Sequence, residues 1–172
     1  MAIHRTQENF NAVALGIDPG RDKTGFAFID MAGDLILSGI LASNDIEKFL
    51  TAVIHGNAQD ILKFRLEGAN NANFLTGTSL KFIALGNGTH SQKFYEFIKN
   101  IFERENFANL KIILVDEKNS TLEARKLFFK IHKPNFLKRL LPESLLIPER
   151  VIDDFAAWVI VLRGLKLFES IV

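Results

Sequence analysis

Acidic side chains stand where the hydrophobic pattern of this 172-residue sequence predicts that strands end or a helix begins. Asp18 follows the apolar run VALGI and precedes the turn PGRDKTG, and Glu117 closes the apolar run LKIILVDE. Asp153 and Asp154 open the long apolar segment DDFAAWVIVL. Functional sites of open sheets form beyond the carboxyl ends of strands. We therefore expect Asp18, Glu117 and Asp153 to meet there, if their strands lie near each other.

Three clustered carboxylates repel one another, so a cation is needed to keep them ionised together. The sequence has no Cys, and its four His residues show no ligand spacing. Hard oxygen ligands of this kind select Mg²⁺ or Mn²⁺. Two such ions, about 4 Å apart, clamp a phosphodiester while activating a water and stabilising the leaving oxygen. The acids therefore favour a metal-dependent nuclease.

Each acid also has a purely structural interpretation, which the sequence leaves open. Asp18 would make an Asx turn if its carboxylate accepted N–H groups of the following turn. Glu117 would be an ordinary exposed residue after a strand. Asp153 and Asp154 would be helix N-caps, and Thr121 with Glu123 would be a capping box.

The elements that position these residues follow from hydrophobic periodicity and turn residues. Residues 57–80 show no clear pattern and contain a predicted loop. Strands are predicted at 12–18, 24–30, 34–41, 80–86 and 110–117, and helices at 44–56, 91–106, 120–133 and 153–171, with a long loop over 133–150. This order predicts an α/β fold: a mixed five-stranded sheet, with a three-strand antiparallel meander first and helices on both faces.

Composition limits the class of protein. With 172 residues, 48% of them hydrophobic, the chain suits a single domain over residues 1–172. Without Cys, neither disulfides nor thiolate metal sites can form. Residues 1–11 are polar and no long uncharged apolar stretch occurs, so neither a secretory signal nor a membrane span is predicted. We expect a cytoplasmic protein.

Positive charge is concentrated in one part of the sequence. The net charge is +1, but residues 118–139 contain seven Lys or Arg against one Glu and so carry +6. Such a segment is typical of a footprint for phosphates. A solvated helix face with ordinary Lys and Arg residues explains it equally well.

Four motifs together resemble one family. LGIDPGRDKTGFAFID resembles the opening motif of RuvC-like proteins in the RNase H-like superfamily, and the YqgF group is the closer match. That group is described as Holliday junction resolvases and as pre-16S ribosomal RNA nucleases. ALGNGTHS, VDEKNSTLEAR and VIDDFAAWVIVL resemble its later motifs in the same order, over residues 13–168.

The resemblance implies an RNase H-like domain whose catalytic, metal-binding acids are Asp18, Glu117 and Asp153. Asp153 is preferred because it stands three residues before Ala156 and Ala157, although Asp154 remains a second candidate metal ligand. The substrate backbone is expected near a further set of residues: Gly20, Lys23, Asn87 and Thr121, with Arg125 and Lys126 as phosphate contacts.

The sequence departs from the family pattern at two places. Lys118 replaces the motif's Arg, which keeps the charge but loses the bidentate fork. The fourth predicted strand ends in Gly86 and Asn87, where RuvC-type resolvases have their second acid, so the site resembles that of the YqgF group.

The implied activity is a Mg²⁺- or Mn²⁺-dependent nuclease that hydrolyses RNA, as in ribosomal RNA precursor processing, or branched DNA. One alternative is an inactive nucleic-acid-binding protein on the same fold. An ATPase of the actin and sugar-kinase type is a weaker alternative, because those enzymes need two such domains around the nucleotide. The sequence leaves monomer and homodimer open.

Overall fold

The computed structural model describes residues 12–69, 79–106, 110–134, 136 and 146–171. The predicted loops within 70–78 and 137–145 lie outside these residues. Among the described residues, the strands are β1 (Ala12–Pro19), β2 (Lys23–Asp30), β3 (Leu35–Ala42), β4 (Arg65–Gly68), β5 (Ser79–Gly86) and β6 (Lys111–Val115). The helices are α1 (Ile46–Ile54), α2 (Ala58–Leu62), α3 (Ser91–Arg104), α4 (Ser120–Ile131) and α5 (Asp153–Ile171).

The strands form one mixed sheet in the order β4-β3-β2-β1-β5-β6. Strands β1 to β3 are an antiparallel meander, and β5 and β6 run parallel to β1. This confirms the predicted α/β architecture. The predicted number of five strands is wrong, because β4 adds an antiparallel edge strand beside β3.

Helices cover both faces of the sheet, as predicted. On one face α1, α2 and α3 pack on a core that includes Phe26, Phe28 and Phe49. On the other face α5 packs on β1, β2 and β5, and α4 packs on α5. Helix α2 was not predicted, and it lies in the segment where the sequence shows no clear pattern.

Two glycines allow α5 to approach the sheet closely. A Cβ atom at Gly16 in β1 would overlap the carbonyl oxygen of Ala157, and a Cβ atom at Gly25 in β2 would overlap that of Asp153. Since Gly25 pairs with Asp18 across β1 and β2, this contact brings the first turn of α5 beside Asp18.

The predicted capping box of α4 is wrong. The helix is preceded by Asn119 in the left-handed conformation (φ 64°), and no side chain caps it. The carboxylate of Glu123 instead accepts a hydrogen bond from Arg163 of α5 (2.8 Å).

Within the described part of the chain, no helix is long and apolar enough to cross a membrane.

Candidate active site

The site lies where the parallel strands β1, β5 and β6 end. Asp18 is the second-last residue of β1, and Glu117 is the second residue after β6. Between these strands β5 ends in Gly86, which is aligned with Val115 of β6. Because Gly86 has no side chain, it leaves the space between the two strand ends open to the side chains of its neighbours.

Glu117 extends into that space. A Cβ atom at Gly86 would overlap Oε1 of Glu117, and one at Gly88 would lie against Oε2. The backbone N–H of Glu117 donates to the side-chain oxygen of Asn87 (3.3 Å), whose own N–H donates to the carbonyl of Val115 (2.9 Å). The segment 86–88 thus holds the carboxylate of Glu117 at the end of β5.

Asp18 precedes a turn that hydrogen bonds hold in place. The hydroxyl of Ser43, just after β3, donates to the carbonyl of Gly20 (2.9 Å) and lies 2.9 Å from the hydroxyl of Thr24. Gly20 is required here, since a Cβ atom would overlap the carbonyl oxygen of Lys23. No described group donates a hydrogen bond to the carboxylate of Asp18, so the Asx turn considered above is not formed.

The electrostatics of the three acids are unfavourable without a counter-ion. Burial, with repulsion from Glu117 and Asp153, raises the pKa of Asp18 from 3.8 to about 7. Burial is also the main cause that raises the pKa of Glu117, with Asp116 contributing, while a backbone hydrogen bond from Gly88 opposes the shift. The three carboxylates therefore interact in a poorly solvated place.

Asp153 opens α5 and is half-buried. Burial is the largest cause that raises its pKa, and the negative charge of Asp154 is the next. The positive charges of Lys23 and Arg150 oppose the shift. Lys23 is an exposed cation within electrostatic range of Asp153.

The donor set fits a hard divalent cation. Three carboxylates converge, and Oε1 of Glu117 is buried without a hydrogen-bond partner among the described residues. In the described ranges, however, no three His, Asp or Glu side chains lie together so that they could hold a metal ion as they stand. A shared ion would therefore need another arrangement of these side chains.

The structure does not bring Asp154 to this group. Its carboxylate is fully buried and accepts two hydrogen bonds from Arg150 (2.8 and 2.9 Å) and one from the hydroxyl of Ser38 (3.0 Å). Arg150 also donates to Glu67 of β4 (2.9 Å) and lies over the ring of Phe128 (5.6 Å). Asp154 thus has its charge partner already, and Asp153 is the acid that faces Asp18.

Of the remaining predicted residues, some lie at the acids and the others lie on α4. Lys23 and Asn87 lie at the acids, as described above. Thr121 is exposed in the first turn of α4, and Nε of the half-buried Arg125 has no hydrogen-bond partner in the described part of the chain. Lys126 instead lines a groove between α4 and α5.

Sequence reasoning missed the residues that hold the acids in place. Ser43 braces the turn after Asp18, and Arg150, Ser38 and Glu67 fix the first turn of α5. Ser38 and Glu67 are 116 and 83 residues from their partners Asp154 and Arg150, and Ser43 is 23 residues from Gly20, so no short motif contains these pairs. Two short segments did indicate the site in the sequence: the turn that begins with Pro19, Gly20 and Arg21, and the segment Gly86-Asn87-Gly88. The structure shows that the second segment holds the carboxylate of Glu117.

Comparisons with known proteins give distant structural similarities. No family model and no curated protein matches the sequence. The fowlpox virus Holliday junction resolvase is 16% identical, with 93% of this chain and 99% of that chain covered and a TM-score of 0.44. Thermus thermophilus RuvC in complex with a Holliday junction substrate is 12% identical, with 92% and 96% covered and a TM-score of 0.43.

A third similarity is to a ROK family glucokinase from Streptomyces griseus, with 14% identity, 67% of this chain and 36% of that chain covered and a TM-score of 0.36. At these identities and TM-scores, the similarities carry no conclusion about function. The function is therefore argued from the side chains of the site.

Proposed function

We propose that this protein is a Mg²⁺- or Mn²⁺-dependent nuclease that hydrolyses phosphodiester bonds, with Asp18, Glu117 and Asp153 as its catalytic acids. The observation that carries the proposal is the convergence of these three carboxylates at a poorly solvated place, where burial first, and repulsion from Glu117 and Asp153 second, raise the pKa of Asp18 to about 7. Proteins rarely bury repelling acids without a use for them, and perturbed carboxylates of this kind cluster at functional sites.

The three acids would hold the metal, and each has a distinct support. Asp18 lies on a rigid strand, Glu117 is placed by Asn87 and the two glycines, and Asp153 is placed by the anchored first turn of α5. The chemistry that a divalent ion supplies in such a site is a lowered pKa of a bound water and a counter-charge for the leaving oxygen.

The protein's own groups account for substrate placement. Lys23 stands beside Asp153 and would pair with a phosphate that approaches the acids. The candidate substrates share a phosphodiester and include RNA, as in ribosomal RNA precursor processing, and branched DNA, as in Holliday junction resolution. Action on either is consistent with the cytoplasmic location expected above.

The alternative is a nucleic-acid-binding protein without activity on the same fold. It is favoured by one observation: among the described residues, no group of three or more His, Asp or Glu side chains could hold a metal ion as it stands. In that case binding of nucleic acid should survive the replacement of all three acids.

The test is cleavage of a panel of substrates with Mn²⁺: RNA duplexes, single strands and four-way DNA junctions. Asp18→Asn should fold and lose cleavage, whereas Asp22→Asn, an exposed acid on the same turn, should retain it. Cleavage that is unchanged in a clean preparation of Asp18→Asn would refute the assignment. Thermal unfolding with and without Mn²⁺ gives a readout that does not depend on activity.

A further inference from the structure

A groove runs between α4 and α5 on the outer side of the helical layer. It consists of a depression of about 310 Å³ and an adjoining one of about 480 Å³, which share Glu123, Arg163 and Lys166. The floor of the first is aliphatic and is made by Leu127, Val159 and Leu162. The second is bounded in part by Val115, Asp116, Lys118 and Asn119, the residues on either side of Glu117 in the chain. The groove therefore begins at the wall of the candidate active site.

The rim of the groove carries cations that lack partners. The exposed side chains of Lys118, Lys126, Lys130 and Lys166 line it, and none of them pairs with a carboxylate in the described part of the chain. The two acids of the lining do not neutralise the rim, because Glu123 is paired with Arg163 and the single carboxylate of Asp116 remains against four lysines.

Basic side chains elsewhere are arranged differently. On or beside α1, α2 and α3, four cations each pair with an acid: Lys48 with Asp45, Lys63 with Asp60, Lys99 with Glu103 and Arg104 with Glu47. Among the described cations on or beside those three helices, only Lys93 lacks an acid partner, whereas the four unpaired lysines of the groove lie together. A polyanion is the complementary occupant.

We propose that the groove between α4 and α5 binds the phosphodiester backbone of a nucleic acid arm that extends from the active site. This inference rests on the proposed function, since the same substrate passes from the acids over residues 116–119 into the groove. It adds Lys130 and Lys166 to the substrate-binding residues and gives Lys126 a place away from the acids.

The lining also indicates how the arm is recognised. Among the described residues, no aromatic side chain lines the groove, so these residues offer no surface on which bases could stack, and the aliphatic floor offers no hydrogen bonds to base edges. Lysine contacts to phosphates carry no sequence information. Binding should therefore be independent of sequence and strongly dependent on salt.

The test compares two triple variants with the same change of charge. Lys126→Gln, Lys130→Gln and Lys166→Gln alter the groove, whereas Lys48→Gln, Lys63→Gln and Lys99→Gln alter the opposite side. Binding to labelled DNA and RNA duplexes of identical sequence and to a four-way junction is measured by anisotropy in EDTA over a range of NaCl. We expect the groove variant to lose about tenfold or more in affinity and to show a salt slope less steep by about 2 to 3.

Equal losses in the two variants, or none in the groove variant, would overturn the inference. So would tight, groove-dependent binding of polyglutamate without binding of either duplex, because the groove would then be a site for acidic peptides. A difference between DNA and RNA identifies which backbone is preferred. The binding assay needs no cleavage, so the two proposals can fail separately. Groove-dependent binding without Mn²⁺-dependent cleavage supports the groove as a binding site and rejects the nuclease. Mn²⁺-dependent cleavage without groove-dependent binding rejects the groove alone.

Discussion

Replacement of Asp18 by Asn should stabilise the protein at neutral and higher pH in the absence of metal. The pKa of Asp18 is raised from 3.8 to about 7, so between these values the folded protein binds a proton that the unfolded chain has released. The free energy of unfolding of the wild type therefore falls as pH rises through this window. Asn has a similar shape and no charge, so the variant avoids this loss.

The pKa change sets the size of the effect. A shift from 3.8 to about 7 corresponds to about 4 kcal/mol in full. Because Asp18 is partly exposed, water will reduce this value, and we expect a gain of about 2 kcal/mol at pH 8. Near pH 4 the wild-type carboxyl is protonated in the folded state, so the two proteins should have about equal stability there.

Urea unfolding followed by circular dichroism, in EDTA at about pH 4 and about pH 8, measures both quantities. Asp22→Asn is the matched control, since Asp22 is exposed and pairs with the neighbouring Arg21, and its stability should stay close to that of the wild type. An Asp18→Asn protein less stable than the wild type at pH 8 would refute the reasoning, because the carboxylate would then be a structural group.

Metal should reverse the order of stability. Mn²⁺ at about one hundred times its Kd should stabilise the wild type by about 2.7 kcal/mol and have little effect on Asp18→Asn. Since the ion must displace the proton of Asp18, the stabilisation should be larger at pH 8 than near pH 5. Equal stabilisation of both proteins by Mn²⁺ would place the binding elsewhere.

Three further predictions concern the groups that support the acids. Gly25→Ala should displace the first turn of α5 from β2 and lower the affinity for Mn²⁺ at least tenfold in calorimetry, since the new Cβ atom would overlap the carbonyl oxygen of Asp153; unchanged affinity in a folded variant would contradict this. Asn87→Ala should weaken Mn²⁺ binding about threefold to tenfold and lower the free energy of unfolding by about 1 kcal/mol, because the Glu117 N–H loses its acceptor. A loss of stability without any effect on Mn²⁺ binding would show that Asn87 is purely structural. Arg150→Met should lower the free energy of unfolding by about 3 to 5 kcal/mol in urea, because a fully buried carboxylate loses its charge partner; a loss below about 1 kcal/mol would show that this ion pair is dispensable.

Most of the sheet could be predicted from the sequence, because buried strands leave a strong hydrophobic pattern. β1, β2 and β5 have nearly continuous apolar runs, and the turns between them contain Gly or Asp. β4 was missed because its four residues, RLEG, include two charges and lie at an edge, where only one face needs apolar side chains. Its pairing with β3 is a tertiary contact that local periodicity does not record.

The site could be predicted only as far as element ends reveal it. Asp18 and Glu117 stand at strand ends, and parallel strands bring such ends together. The choice between Asp153 and Asp154 could not be made from helical geometry alone, since both occupy the first turn. It depends on Arg150 and Ser38, which hold Asp154 in the interior, and Ser38 is 116 residues away in the sequence.

The position of α5 in the chain has a consequence for protein synthesis. This helix supplies the buried layer over β1, β2 and β5 on one face of the sheet, including Ala157, Ile160 and Val161, yet it is translated after every described strand. While the ribosome is still making residues 116–152, that face has no cover and its apolar side chains meet water. The nascent chain should therefore bind chaperones until α5 emerges, and the first turn of α5 should complete the cluster of acids only when the helix docks.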